Sequence, residues 1–329
     1  MSNSNRLPQI DILKSVSALA VFFLHYAGIY LIAFNNYNSA YLTPIRNLCF
    51  FAVPVFFIVS GFLHSGKEYS YKDILPKVIY FYILTVVTNF ALTIPNLYIR
   101  HNDTSITILS ILKDSLLLKT SIKNLWFMTP IMILYLFIPI FSSVKPLNII
   151  ILTILTTLLS FFRPVFFPSF NLPFPLPYYF SYFLIGYSIK HLSTKQKNVL
   201  LITSLVLFVI CMIVIVKPNK FDYDRPLIFF LSLSIFLSLL SVKISNQHFI
   251  HIFEQISIAS LGVYILHPVF IHFIFTYLKL RLSLPIFWAF FPILFAINVV
   301  FVLIIKKLLS HVKASFSKNN WYNSYLYGI

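Results

Sequence analysis

Apolar segments of helical length follow one another along almost the whole chain, and this pattern restricts what the chain can fold into. Hydrophobic residues make up 59% of the 329 residues and charged residues only 10%, whereas a typical soluble domain is about 45–50% apolar and about 25% charged. The mean hydropathy is +0.87. Because a water-soluble core cannot hide this excess, the composition indicates a protein embedded in a membrane.

The apolar segments predict an all-α integral membrane fold, a bundle of about ten transmembrane helices, each near the ~20 residues that cross a bilayer. We expect this transmembrane domain over residues 1–310, followed by a short tail at 311–329. The segments cover residues 9–34, 46–64, 74–98, 125–142, 147–162, 178–192, 198–216, 226–244, 256–278 and 283–308.

Two connections differ from ordinary short loops. Residues 105–118 have apolar side chains at helical spacing, which predicts a short amphipathic helix lying at the membrane interface. Residues 163–177 are rich in proline and phenylalanine. Because proline breaks helices and interior strands, we expect an aromatic loop there, and both a lid and a stiff tether fit this composition.

The net charge of +17 is spread over many loops. This scatter indicates membrane-flanking lysines and arginines that face anionic lipid, and it does not favour nucleic acid as a partner. Basic segments at 65–77, 190–197 and 306–318 predict a protein of the cytoplasmic membrane with both termini in the cytoplasm.

The first apolar segment carries three polar side chains on one helix face. Asp11 and Lys14 are three residues apart and therefore neighbours on a helix. His25 follows Lys14 by three helical turns, about 16 Å along the axis. Polar groups within a bilayer are costly and usually face the interior of the bundle.

This stripe has both a structural and a chemical interpretation. An ion pair or a lysine that extends to the interface would explain Asp11 and Lys14, and a hydrogen bond to another helix would explain His25. In the chemical interpretation, His25 takes a proton from a hydroxyl nucleophile. Lys14 would then hold a phosphate or a developing negative charge, and Asp11 would orient the lysine.

Four further residues are candidate binding residues. Ser60 and Gly61 offer a small surface for another helix or for an acyl arm, and helix packing is the commoner use. Trp126 at the start of an apolar segment is typical of an interfacial anchor. His267 lies within a segment, directly before Pro268. Because no cluster has metal-ligand spacing, we expect no metal site.

These motifs together resemble the acyltransferase 3 family of integral membrane acyltransferases. The family's first span carries an aspartate, a basic residue and, eleven positions later, a histidine, which correspond to Asp11, Lys14 and His25. The second match is the string PVFFIVSGFL at 54–63. Weaker matches follow in order at residues 125–127, 182–187 and 260–268. This chain has lysine where the family more often has arginine, so a bidentate grip on a phosphate is not expected.

The resemblance implies transfer of an acyl group, most often acetyl, from cytoplasmic acetyl-CoA to a hydroxyl of a lipid-linked or cell-surface glycan. His25 would be the essential histidine and Lys14 its basic partner. The partners would then be acyl-CoA, a glycan acceptor and membrane lipid. Two alternatives remain at this point: a transporter or flippase for a glycan or small metabolite, and a membrane assembly factor without turnover.

Overall fold

A computed structural model describes residues 6–33, 39–99, 108–118, 123–166, 176–215, 226–272, 275 and 283–316. Within these ranges every regular element is helical, which confirms the all-α prediction for the described part of the chain. The helices are α1 (Pro8–Ala33), α2 (Ser39–Leu48), α3 (Ala52–His64), α4 (Tyr71–Ile99), α5 (Ile108–Leu116), α6 (Met128–Ser143), α7 (Pro146–Phe166), α8 (Leu176–Ile189), α9 (Thr194–Ile215), α10 (Pro226–Ser241), α11 (Gln247–His272) and α12 (Leu284–Phe316). Short 3-10 turns at Cys49–Phe51 and Lys123–Phe127 lead into α3 and α6.

Among the described residues, 7 helical stretches are long and apolar enough to cross a membrane, by length and composition. A helix suits this setting because it satisfies its backbone hydrogen bonds within one segment, as the hydrocarbon core requires. The stretches are Pro8–Ile32, Leu42–His64, Tyr71–Thr93, Leu125–Ser143, Thr194–Ile213, Gln247–His272 and Leu284–Ser310. The apolar helices Pro146–Phe162 and Pro226–Ser241 are shorter, so the count of about ten spans stays a prediction.

The sequence-based start of α11 at residue 256 was wrong, because the helix begins at Gln247. Its first two turns mix polar and apolar side chains, and the side chain of Asn246 accepts a hydrogen bond from the Phe249 N–H at 3.1 Å. This is the geometry of a helix N-cap. The apolar pattern therefore marks the part of α11 that suits a bilayer, while the cap marks where the helix starts.

The prediction of a loop over residues 163–177 was also wrong at both ends, because residues 163–166 belong to α7 and residues 176–177 belong to α8. Helix α7 continues to Phe166, and Pro164 lies in its last turn, where proline removes at most one backbone hydrogen bond. Residues 167–175 lie outside the described residues.

Helix α5 confirms a helix within 105–118, but its place at a membrane interface stays a prediction. At the end of the chain, α12 continues into the predicted tail, through Phe316.

The first of two compact units comprises Met1–Val59 and Leu192–Ile329. In this unit α1 and α11 run side by side in the same direction, because Ser15 contacts Phe253 and, further along both helices, His25 contacts His267. We call it the His25 unit. Helix α12 runs in the opposite direction to both.

Aromatic side chains join α1 to α12 in the His25 unit. Tyr26 stacks on Phe287 with ring centroids 4.6 Å apart, and its hydroxyl donates to the Phe287 carbonyl at 3.1 Å. Phe22 meets Phe295 edge to face at 5.7 Å. Lipid tails are as apolar as these side chains, so the two helices are held by dispersion contacts and hydrogen bonds rather than by removal of water.

The second unit comprises Ser60–His191 and contains Gly61. Within it, α4 packs against α5 and α6, and α7 packs against α8. Two helices approach closely at Gly61, where an added Cβ atom would meet the carbonyl group of Phe183 and lie 3.0 Å from the nitrogen of Tyr187. The α8 backbone therefore reaches Gly61 directly, as at other close helix crossings built on small residues.

We expect Gly61→Ala to destabilise the protein by about 1–3 kcal/mol, the usual cost of overpacking, because the new methyl group meets backbone that cannot rotate away. The matched variant is Gly262→Ala, for which the three atoms nearest to the added Cβ belong to the side chain of Val302. Thermal unfolding in detergent should show a larger drop in midpoint for Gly61→Ala. Equal drops would contradict the backbone contact.

Candidate functional site

Two of the predicted site residues, His25 and His267, lie against each other in the His25 unit. His25 projects from α1 and His267 from α11, with ring centroids 4.8 Å apart and planes inclined by 35°. His267 is completely buried, and His25 is partly buried. Among the described residues, none forms a hydrogen bond with the His25 ring. The structure therefore leaves the His25 nitrogens able to exchange a proton beside a second imidazole.

The neighbouring proline explains how the His267 ring is held. Pro268 has no N–H, so the carbonyl of Tyr264 loses its partner in the helical ladder. The His267 ring is hydrogen-bonded to this backbone group and to the carbonyl of Val263, which lies 3.2 Å from Nδ1. Since a carbonyl only accepts, Nδ1 carries the proton, and in the neutral ring Nε2 is an acceptor. The His–Pro pair thus sets the tautomer of His267.

A cation that the sequence analysis did not single out lies near His25. Arg46 of α2 donates from Nε to the Leu24 carbonyl at 3.1 Å, and its charge acts on the His25 ring. Its guanidinium lies over Gly28, where Nε is 3.1 Å from the position of an added Cβ. The available signal was Gly28 itself, a glycine inside a helix on the same face as His25.

At the other end of α1, Asp11 pairs with an arginine rather than with Lys14. Arg6 donates from Nε and Nη2 to the two carboxylate oxygens of Asp11 at 2.7 and 2.9 Å, and from Nη1 to Glu254 of α11 at 2.9 Å. Hydrogen bonding to Asp11 raises the pKa of Arg6, which partial burial opposes. Ser15 also donates to the Phe253 carbonyl at 2.8 Å. Through Arg6, Asp11 therefore helps to join the N-terminal part of α1 to the N-terminal part of α11.

Lys14 lies near this ion-pair network without entering it. The described part of the chain offers its ammonium group no hydrogen bond or ion pair, although the charge of Asp11 attracts it. Lys306 of α12, which donates to the Ile258 carbonyl, repels it. The positive charges of Lys14 and Lys306 would both attract an anion. The ammonium group of Lys14, which makes no hydrogen bond among the described residues, could bind it.

Ser60, Gly61 and Trp126 belong to the second unit, where each makes packing contacts. The Ser60 hydroxyl is 3.0 Å from the Tyr135 hydroxyl, and the Trp126 ring lies 5.3 Å from Tyr179. His64, which the sequence analysis did not single out, donates from Nδ1 to the Ser60 carbonyl at 2.8 Å. These contacts describe helix packing in this unit, and the proposed use of Ser60 and Gly61 for an acyl arm stays a prediction.

Three polar side chains of the His25 unit are buried with no hydrogen-bond partner among the described residues. They are Ser17 of α1, Ser257 of α11 and Asn298 of α12. A buried amide without a partner is costly, and Asn298 has neither its oxygen nor its nitrogen paired. No pattern in the sequence distinguished Asn298 from the apolar residues around it.

Metal-binding side chains do not gather in the described ranges, where no group of three or more histidines, cysteines or acidic residues could hold an ion. His25 and His267 alone supply two ligands, and a structural zinc site needs four. The absence of a metal from the whole protein stays a prediction.

The fold and these side chains define a class: a multi-pass membrane protein that carries acid–base side chains within its helices. The chain belongs to the acyltransferase 3 family, whose model, described as an acyltransferase domain, matches residues 7–307. The resemblance drawn from the motifs is thereby confirmed, and membership supports a membrane acyltransferase in general terms. No curated protein and no solved structure matched the chain.

We expect Arg6→Gln to destabilise the protein by about 1–3 kcal/mol, the range for losing hydrogen bonds to a charged group, because Asp11 is left buried without its partner. The double variant Arg6→Gln/Asp11→Asn should recover part of the loss, since the amide is cheaper to bury than the carboxylate. Thermal unfolding of Arg6→Gln, Asp11→Asn and the double variant measures the coupling. Purely additive effects would contradict the pairing.

Proposed function

We propose that the protein is a membrane O-acyltransferase that moves an acyl group, most simply acetyl, from acyl-CoA to a hydroxyl of a cell-surface or lipid-linked glycan. Family membership supports acyl transfer in general. The observation that carries the proposal is the contact between His25 and His267, with ring centroids 4.8 Å apart. It supports an acid–base role for His25 because the neighbouring ring is fixed in one tautomer.

In the proposed reaction, His25 takes the proton of the glycan hydroxyl while the hydroxyl oxygen forms a bond to the thioester carbonyl carbon. The carbon–sulfur bond then breaks, and the proton passes from His25 to the leaving thiolate. The products are the glycan ester and free CoA. His267 helps because its Nε2, an acceptor in the neutral ring, can stabilise the imidazolium that forms on His25.

Lys14 is the proposed contact for the phosphates of the donor. It lies on α1 about 16 Å from His25 along the helix axis, and its unbonded ammonium supports a role in anion binding. The donor would then enter from the end of α1 that carries Lys14, with its thioester directed towards His25. Asp11 contributes by holding α1 against α11 through Arg6 and Glu254.

The proposed location is the cytoplasmic membrane, with both termini in the cytoplasm. Helices α7, α8 and α10 would complete the count of ten spans. With the N-terminus in the cytoplasm, Lys14, near the beginning of the first span, lies close to the cytoplasmic face, where acyl-CoA is made available. His25 lies deeper and nearer to an acceptor at the outer face.

The first test replaces His25 with alanine. We expect glycan acylation to fall by about a hundredfold or more, the range for losing a general base, while the amount of protein in the membrane and its unfolding midpoint stay unchanged. Transfer is measured with purified protein, labelled acetyl-CoA and glycan acceptor. His248→Ala, an exposed histidine on α11, is the matched control and should stay active.

Unchanged transfer by His25→Ala would overturn the assignment of the base. Wild-type protein that binds the glycan but transfers no label from any acyl-CoA would instead favour transport.

The second test concerns Lys14. We expect Lys14→Gln to raise the KM for acyl-CoA about tenfold, the effect of losing about 1.4 kcal/mol of donor binding, with a smaller change in kcat. Lys14→Arg should keep the wild-type KM or lower it, because arginine can contact phosphate oxygens through two N–H groups. Lys243→Gln in the connection before α11 is the matched control. A change in the glycan KM alone would contradict donor binding.

A further inference from the structure

The position of Arg46 is set by two contacts with α1. Its Nε donates to the Leu24 carbonyl at 3.1 Å, and its guanidinium passes over Gly28, at a distance that an alanine side chain would disturb. A third contact comes from Phe50, whose ring centroid lies 5.9 Å from the guanidinium carbon. The charge is therefore fixed beside α1 rather than carried on a free side chain.

This position is one helical turn from His25. His25 and Gly28 are three residues apart and share a helix face, which separates them by about 4.5 Å along the axis. Glycine inside a helix is destabilising relative to alanine. The guanidinium of Arg46 fills the space that a side chain at residue 28 would occupy. Glycine at this position therefore allows Arg46 to lie against α1.

We infer that Arg46 is a catalytic residue that binds the carbonyl oxygen of the thioester as negative charge develops on it. This inference rests on the proposed acyl transfer. When the glycan oxygen bonds to the carbonyl carbon, the carbon–oxygen π electrons move onto the carbonyl oxygen, and they return when the thiolate leaves. A fixed cation at that oxygen stabilises the tetrahedral intermediate without reorganising during the reaction.

The guanidinium lies over Gly28, one helical turn along α1 from His25, and this placement favours the role over recognition of a remote charged group on the substrate. The base and the oxyanion donor must both reach one reacting carbon, so they must be neighbours. A residue that recognises a distant carboxylate on the glycan has no need to lie one turn from the base. A guanidinium already held by Leu24 and Gly28 is also oriented before the substrate arrives.

The test uses full-length protein in lipid nanodiscs. Acetyl-CoA and glycan are each varied in turn while the other is at saturation, and kcat, both KM values and the unfolding midpoint are compared. We expect Arg46→Gln to lower kcat about a hundredfold, as for loss of one oxyanion donor, with both KM values within a few-fold of wild type. Arg46→Lys should retain more activity than Arg46→Gln because it keeps the charge. Gly28→Ala should lower kcat by an intermediate factor by displacing the guanidinium. Lys195→Gln, at the exposed start of α9, is the control.

Wild-type kcat in Arg46→Gln would overturn the inference, and so would a change confined to the glycan KM. A loss of kcat that follows the unfolding midpoint across the three variants would overturn it as well, because it would show a packing role. If the wild-type protein transfers no acyl group, the proposed function fails and the inference fails with it. That result is distinct from an active wild type with an active Arg46→Gln variant.

Discussion

The packing of α1 along α11 is the contact on which the candidate site depends. Polar side chains join the two helices at three heights: Arg6 links Asp11 to Glu254, Ser15 reaches the Phe253 carbonyl, and His25 meets His267. A slip of one residue would turn each side chain by about 100° around its helix and break all three contacts. In a bilayer, where apolar contacts with lipid and with protein are nearly equivalent, such polar contacts fix the register.

The two ends of α1 offer different chemistry because their partners differ. At the beginning, Asp11 and Glu254 are both occupied by Arg6, so Lys14 is left without a hydrogen bond among the described residues. At the other end, two imidazoles and the Arg46 guanidinium gather within about one helical turn. One continuous helix therefore separates a place suited to anion binding from a place suited to proton transfer, and its rigidity keeps the distance between them constant.

Much of this arrangement could be predicted from the sequence because it is local. The spacing of Asp11, Lys14 and His25 along one helix, and the motifs from residue 54 to residue 268, led to the right family. Helix ends were predicted less accurately, since hydropathy marks membrane depth and does not register a first turn of mixed polarity such as that of α11. The predicted start of the loop at residue 163 was wrong because Pro164 is tolerated in the last turn of α7.

The contacts between distant segments could not be predicted. Arg6 precedes the first apolar segment, so nothing local indicated that it, and not Lys14, would pair with Asp11. Arg46 is the first residue of the second apolar segment and was interpreted as one of the basic residues that flank membrane spans. In the structure its guanidinium lies over Gly28. His267 was named only for its place before a proline. Its contact with His25 joins residues far apart in the chain, and a single sequence carries no periodicity for such a pair.

The His267–Pro268 pair has an evolutionary consequence. If Pro268 were replaced, the regained N–H would compete with the imidazole for the Tyr264 carbonyl, and His267 would be free to turn or to change tautomer. If His267 were replaced first, that carbonyl would lose its hydrogen bond to the imidazole in an apolar setting. Each single replacement therefore disturbs a contact that the other residue supports, which favours change at both positions together. Related chains should carry both residues or neither.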